Sequence, residues 1–313
     1  MSNLSPRPLI HIGYHKTATT WMQRQLFVPE HGYVQIAGHE DVSAHIVGPH
    51  GLQFRADPMK MLISDKSKMA TIGQVPVISS ELLSGNLFYG GRESDVYAER
   101  LKAIAPEARI LISIRSQKHI LTSVYMQYLI RGGTLPPQKF FRETTEFGYF
   151  GFSAAHFEFD RLLAHYQTLF GKENVYILTQ ESLRKDVDDA LMQLAKFCEN
   201  TLFTTLSDAA RQPHVPSYPE HAVPILRRIN QIQTGTLNPN PIISFGNTPR
   251  GLYKRFGYIS RHRLFVFMMG SYRPVSSFVQ KNFAGNYSAS NTRLSSLTGN
   301  PLDLSAYDLL PSP

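Results

Sequence analysis

Residues 9–14 (LIHIGY) form an apolar run of strand length, and the chain turns polar at once through His15, Lys16, Thr17, Ala18, Thr19 and Thr20 before a helical pattern sets in. This join constrains the fold more than any other stretch. A strand that is apolar on both faces must be covered on both sides, as strands inside a parallel sheet are. A loop running from such a strand into a helix aims backbone N–H groups and the positive helix end at one point, which favours an anion. Lys16 adds a full charge there and the threonines add hydroxyl donors. An ordinary polar loop with a helix-capping threonine is the alternative, so an anion site needs a second, independent signature.

Three further runs rich in Ile, Leu or Val have the length and boundaries of buried strands: 75–80 (VPVISS), 109–115 (RILISIR) and 174–179 (NVYILT). Helical patterns cover 17–27, 95–105, 117–131, 153–170 and 188–198. The fourth stops at Gly171, and the last opens on acidic residues, as a first turn prefers. Strands alternating with helices predict an α/β fold with a parallel sheet covered on both faces. Past residue 200 prolines interrupt the pattern. One helix is expected near 222–233, and a less regular Ser/Asn-rich tail starts at Asn282.

The 313-residue chain is 42% hydrophobic and 18% charged, with a net charge of +8. That excludes a disordered charged tail and suits an anionic ligand. A single cysteine, Cys198, excludes an intramolecular disulfide and a multi-cysteine zinc site, and is expected to be buried on the helix after the fourth strand. No apolar run approaches the roughly 20 residues of a membrane span. Residues 1–8 lack the apolar core of a signal peptide, so a cytoplasmic location is expected. His11 and His15 are four apart but bridge a strand and a loop, which argues against a metal pair. Basic residues look scattered, and no nucleic-acid module is visible. The segment from Arg250 to Arg263 is expected to be a solvated surface, with a phosphate or polyanion contact as the alternative. The aromatic run 140–159 is expected to pack, with an acceptor groove as the alternative.

The loop spacing excludes the nucleoside-triphosphate pattern G-x-x-x-x-G-K-[ST], because Lys16 follows Gly13 by three residues and no second glycine precedes it. It instead resembles the 5′-phosphosulfate loop of sulfotransferases that use 3′-phosphoadenosine 5′-phosphosulfate (PAPS), roughly K-[ST]-G-T-T-x-[LMW]. Lys16, Thr17, Thr19 and Thr20 match, Ala18 replaces the usual glycine, and Trp21 stands where cytosolic members carry an adenine-stacking aromatic. Independently, Arg115 ends the third predicted strand, and an arginine at the carboxyl end of a parallel strand points into a ligand crevice with a fork suited to phosphate. Arg115 and Ser123 resemble the family's R-x-x-x-x-x-x-x-S pair for the 3′-phosphate, with Tyr125 like the aromatic that follows. Residues 171–198 resemble a late strand, E-x-L/M turn and helix, with Glu181 and Leu183 in the turn. Residues 282–302 resemble the terminal S-N-x-x-L segment. The likeness touches most of 8–200 and, more loosely, 210–303, and is greatest to the bacterial branch that acts on carbohydrates or other small hydroxyl acceptors.

The resemblance implies a P-loop-like α/β fold, with a core at 1–200 and a C-terminal cap and acceptor-side extension at 201–313. It implies a sulfotransferase with PAPS as co-substrate, adenosine 3′,5′-bisphosphate as product, no required metal, and a hydroxyl acceptor, expected to be a carbohydrate or polysaccharide. His15, Lys16, Thr17, Ala18, Thr19, Thr20 and Trp21 would serve the 5′ side, and Arg115 and Ser123 the 3′-phosphate. Lys16 would also stabilise the leaving group. The acceptor needs a general base in hydrogen-bond reach. Glu81, at the carboxyl end of the second predicted strand, is the first candidate, and His39 or Glu40, just beyond the first helix, is the other. An ATP-dependent small-molecule kinase and a non-catalytic nucleotide or polyanion binder remain as alternatives.

Overall fold

The computed structural model describes residues 7–143, 151–211, 218–299 and 302–308. Five strands, β1 (Leu9–Gly13), β2 (Tyr33–Ala37), β3 (Val75–Ser79), β4 (Arg109–Ile114) and β5 (Val175–Thr179), form one sheet in the order β2-β3-β1-β4-β5. Every neighbouring pair is parallel. Four strands fall on the predicted apolar runs, and all residues of β1, β3, β4 and β5 are buried. The edge strand β2 is absent from the sequence expectation: exposed Gln35 interrupts its apolar pattern.

The helices are α1 (Thr19–Trp21), which runs into a π turn at Met22–Leu26, α2 (His39–Val42), α3 (Asp57–Ser67), α4 (Ser94–Ile104), α5 (Gln117–Ile130), α6 (Pro137–Phe140), α7 (Phe159–Phe170), α8 (Gln180–Lys185), α9 (Val187–Cys198), α10 (Val223–Gln231), α11 (Gly251–Ile259), α12 (Arg263–Met269), α13 (Pro274–Phe283) and α14 (Ser288–Leu297). The stretch past residue 233, where no further element is expected from sequence, therefore holds helices α11–α14, the last of them inside the Ser/Asn-rich tail. The chain divides into two compact units, one of Met1–Ser116, Ala155–Pro213 and Tyr287–Pro313, the other of Gln117–Ala154 and His214–Asn286.

In the first unit the strand period of two sorts side chains onto opposite faces of the sheet. Leu9, Val77, Leu111 and Leu178 pack with Met22 and Leu26 of the π turn and with Leu191 and Leu194 of α9. Cys198 closes this cluster, and burial pushes its thiol up to about 12, so it stays protonated and inert. On the other face α7 packs against β4 and β5, and α4 packs against α7. Helix α14 is fastened to α7 by the buried Asp160 carboxylate, which accepts hydrogen bonds from Ser290 Oγ and from Arg293 Nε at 2.6 Å. Asn291 donates to the Asp308 carbonyl at 2.9 Å, and Leu294 is fully buried. The S-N-x-x-L stretch is thus a structural clasp.

The second unit gathers α5, α6 and α10–α13. Fully buried Asn230 of α10 donates to the carbonyls of Leu129 and Gly133, each at 2.8 Å, and satisfies the end of α5. Gly132 (φ +96°) and Gly235 let two backbones meet there, since a Cβ on Gly132 would lie 2.9 Å from Gly235 Cα. Phe140, Phe141 and Phe152 interlock with one another, and Phe140 also packs on Tyr125 and Tyr128. That portion of the aromatic run packs; its residues 144–150 lie outside those described.

Candidate functional site

Strand β1 is central, with β3 on one side and β4 on the other. His11 pairs with Ser79 in the register, and Gly13 with Ser113. Three chain segments therefore leave one edge of the sheet side by side, about 4.8 Å apart per strand: the loop from Tyr14, the turn at Ser80-Glu81, and Arg115-Ser116. Residues far apart in sequence are drawn to the crevice where open parallel sheets hold ligands.

The central loop is strained. Lys16 (φ 69°) and Ala18 (φ 70°) both occupy the left-handed region, which costs an L-residue about 1–2 kcal/mol. Ala18 stands where the resembled motif has glycine, and its backbone has the conformation glycine favours. Gly13 is needed for contact: a Cβ there would lie 2.1 Å from Thr19 Oγ1. Thr19 Oγ1 is buried and has no hydrogen-bond partner among the described residues. Lys16 and Thr20 are exposed, and His15 is half-buried. Trp21 is anchored by its indole N–H, which donates to the Ala210 carbonyl at 2.9 Å, and its ring packs on the sheet core.

Beneath the loop runs a buried polar chain whose direction can be deduced. Thr17 Oγ1 donates to the Tyr14 carbonyl at 2.5 Å, and so it must accept from Ser113 Oγ, 2.8 Å away. Ser113 Oγ then accepts from His11 Nε2 at 2.9 Å. His11 Nδ1 is left as an acceptor for Ser79 Oγ at 2.9 Å, which itself accepts from Gln23 Nε2 at 3.1 Å. The carbonyl acceptor at the Thr17 end fixes a proton on His11 Nε2, and the amide donor at the other end is compatible with an unprotonated Nδ1. Burial independently pushes His11 down to about 3. Both ring nitrogens are engaged by serines, so His11 serves the fold of the site.

On the β3 side, Ser80 caps a 3₁₀ turn at Glu81–Ser84 by accepting from Leu82 N at 3.3 Å. The Glu81 carboxylate, about one-third exposed, lies 3.9 Å from His39 Nδ1. The two regions that compete for the base in sequence are neighbours in space. Glu40 is exposed, while Asp41 accepts from Gly38 N at 3.2 Å and pairs with Lys66 at 3.4 Å.

On the β4 side, burial pushes the Arg115 guanidinium down to about 10, and the charge of Arg184 acts in the same direction against those of Glu181 and Tyr307. Glu181 braces this corner by accepting from Ser116 N at 3.2 Å and from Tyr307 Oη at 3.1 Å. Glu181 was legible as a turn residue. Arg184 and Tyr307 carry no local signal, and only the packing brings them to Arg115. Ser123 lies on α5, in the second unit, half-buried. Tyr125 on the same helix is a core residue whose hydroxyl donates to the Leu135 carbonyl at 2.7 Å.

No protein-family model matches the chain, and no curated protein sequence matches it. Solved structures similar to it include a sulfotransferase from Alicyclobacillus acidocaldarius, with TM-score 0.41, 15% identity, and 72% of this chain and 90% of that chain covered. A sulfotransferase domain from the curacin biosynthetic pathway follows at 0.38 and 12%, covering 69% and 80%. Mouse sulfotransferase SULT7A1, complexed with PAP, is similar at 0.36 and 13%, covering 89% and 90%.

Proposed function

We propose that this chain is a sulfotransferase that moves the sulfuryl group of PAPS to a hydroxyl acceptor, with carbohydrate as the acceptor class. One observation carries this: a cationic, hydroxyl-rich loop at the end of the central strand is flanked by a guanidinium at the end of β4 and a carboxylate beyond the end of β3. The buried, unsatisfied Thr19 hydroxyl fits an anionic oxygen. Arg115, with Arg184 close enough to depress its pKa, fits a second, multiply charged phosphate. In transfer, the acceptor oxygen forms a bond to sulfur as the bond from sulfur to the bridging phosphate oxygen breaks. Lys16 stabilises the charge left on that oxygen, and Glu81 takes the acceptor's proton, oriented by His39.

The test is thermal unfolding with adenosine 3′,5′-bisphosphate or with ATP and magnesium, followed by transfer of label from PAPS to a panel of saccharides. A ligand that binds the native state raises its apparent stability. Stabilisation by the bisphosphate and labelled saccharide are the expected results, and Lys16→Ala should cut turnover about 10²–10³-fold at unchanged Tm. Stabilisation by ATP–magnesium alone overturns the assignment.

A further inference from the structure

Between Glu220 and Asp303 the chain carries ten Lys and Arg residues and no Asp or Glu. That exceeds the whole chain's surplus of +8, so basic residues that look scattered on a whole-chain count are in fact concentrated. Within this stretch, α12 reads RLFVFMM, and none of its residues is buried. Phe267 is 89% exposed, Met268 69% and Leu264 62%, and Ile259 at the end of α11 is exposed as well. Phe265 holds α12 in place by stacking on His221 (6.4 Å between centroids) and meeting Phe256 edge-on. The same stretch of chain, from α11 to the start of α13, carries Lys254, Arg255, Arg263 and Arg273, all exposed. Large apolar side chains exposed together along one short helix are the kind of surface that marks an interaction site.

We propose that the α11–α12 face is a docking surface for an anionic lipid bilayer, with Ile259, Leu264, Phe267 and Met268 entering the headgroup boundary and the four cations meeting lipid phosphates. Apolar residues flanked by Lys and Arg are the pattern of helices that lie in a membrane interface. A polyanion such as a polysaccharide satisfies the cations but offers nothing to the apolar helix. A second copy of the chain covers the apolar residues but brings two like-charged stretches together. An anionic bilayer satisfies both. Among the described residues no helix is long and apolar enough to cross a membrane, so the contact is peripheral.

The full chain should float with vesicles of phosphatidylcholine containing one-quarter phosphatidylglycerol in 0.1 M salt, and not with phosphatidylcholine alone. The double variant Phe267→Ser/Met268→Ser and the double variant Arg263→Glu/Arg273→Glu should each reduce the bound fraction at least tenfold. All four side chains are exposed, so Tm should hold, and a Tm match to the parent is the control for folding. Failure to float with the anionic vesicles overturns the proposal. So does equal binding to neutral vesicles, retention on heparin without vesicle binding, or a dimer by light scattering that Phe267→Ser/Met268→Ser dissolves while vesicle binding is absent.

Discussion

The two strand ends that flank the central loop are held in opposite ways. At the end of β4, Arg115 is largely withdrawn from water and set among Glu181, Arg184 and Tyr307, with Glu181 tied to the backbone at Ser116. Beyond the end of β3, the Glu81 carboxylate stands 3.9 Å from a half-exposed His39. The first arrangement suits a fixed charge that grips a ligand common to every turnover. The second suits a group that must gain and lose a proton with water at hand. The His11 chain ties the two sides together, because it joins Ser79 of β3 to Ser113 of β4 through β1.

Substitutions at the two ends should separate binding from chemistry. Glu81→Gln should lower kcat by about 10²–10⁴-fold, while the stabilisation by adenosine 3′,5′-bisphosphate persists, and His39→Ala should give a smaller loss. Full turnover in Glu81→Gln would break the contrast. Arg115→Ala should do the reverse, weakening the bisphosphate about 10–100-fold by titration calorimetry, as expected for loss of a charge-assisted contact. Unchanged affinity would remove Arg115 from the phosphate site.

The connection between the ends should show in the pH dependence of stability. His11 has its folded pKa depressed to about 3, so its neutral form contributes stability in full above the unfolded value of 6.5. That contribution is lost as the pH falls from 6.5 towards 3, because the unfolded chain binds a proton that the native chain refuses. Between pH 6.5 and 5 the loss is about 2 kcal/mol. In urea titrations, His11→Gln should be less stable than the parent at pH 7 and should lose less on moving to pH 5. Parallel pH curves would contradict the buried neutral imidazole. The smallest effect is expected at Ala18→Gly, which relieves a left-handed alanine and should raise stability by about 1 kcal/mol in the same assay.

Much of the sheet was legible locally. β1, β3, β4 and β5 are continuous apolar runs because parallel strands are buried on both faces. β2 was not legible, since an edge strand with exposed Gln35 carries a weaker pattern. The C-terminal helices were hidden for another reason. α12 has no buried face to impose a helical period, and α14 is polar along much of its length and held by specific contacts to Asp160. In the site, Lys16 and Arg115 announce themselves by position and charge. His11 does not, because its role depends on which serines lie on the strands either side.

The sequence by itself determined the strand-to-helix loop, its cation, its hydroxyls, and the cationic residue at a second strand end, since each is a local pattern of a few residues. Only the tertiary structure decided that Glu81 and His39 are neighbours, that Arg184 and Tyr307 share the corner of Arg115, and that one neutral histidine links three strands. The physical reason is the strand order: β3 and β4 reach the two sides of β1 by long crossovers, and which residues then face one another follows from register and packing rather than from any nearby residue in the chain.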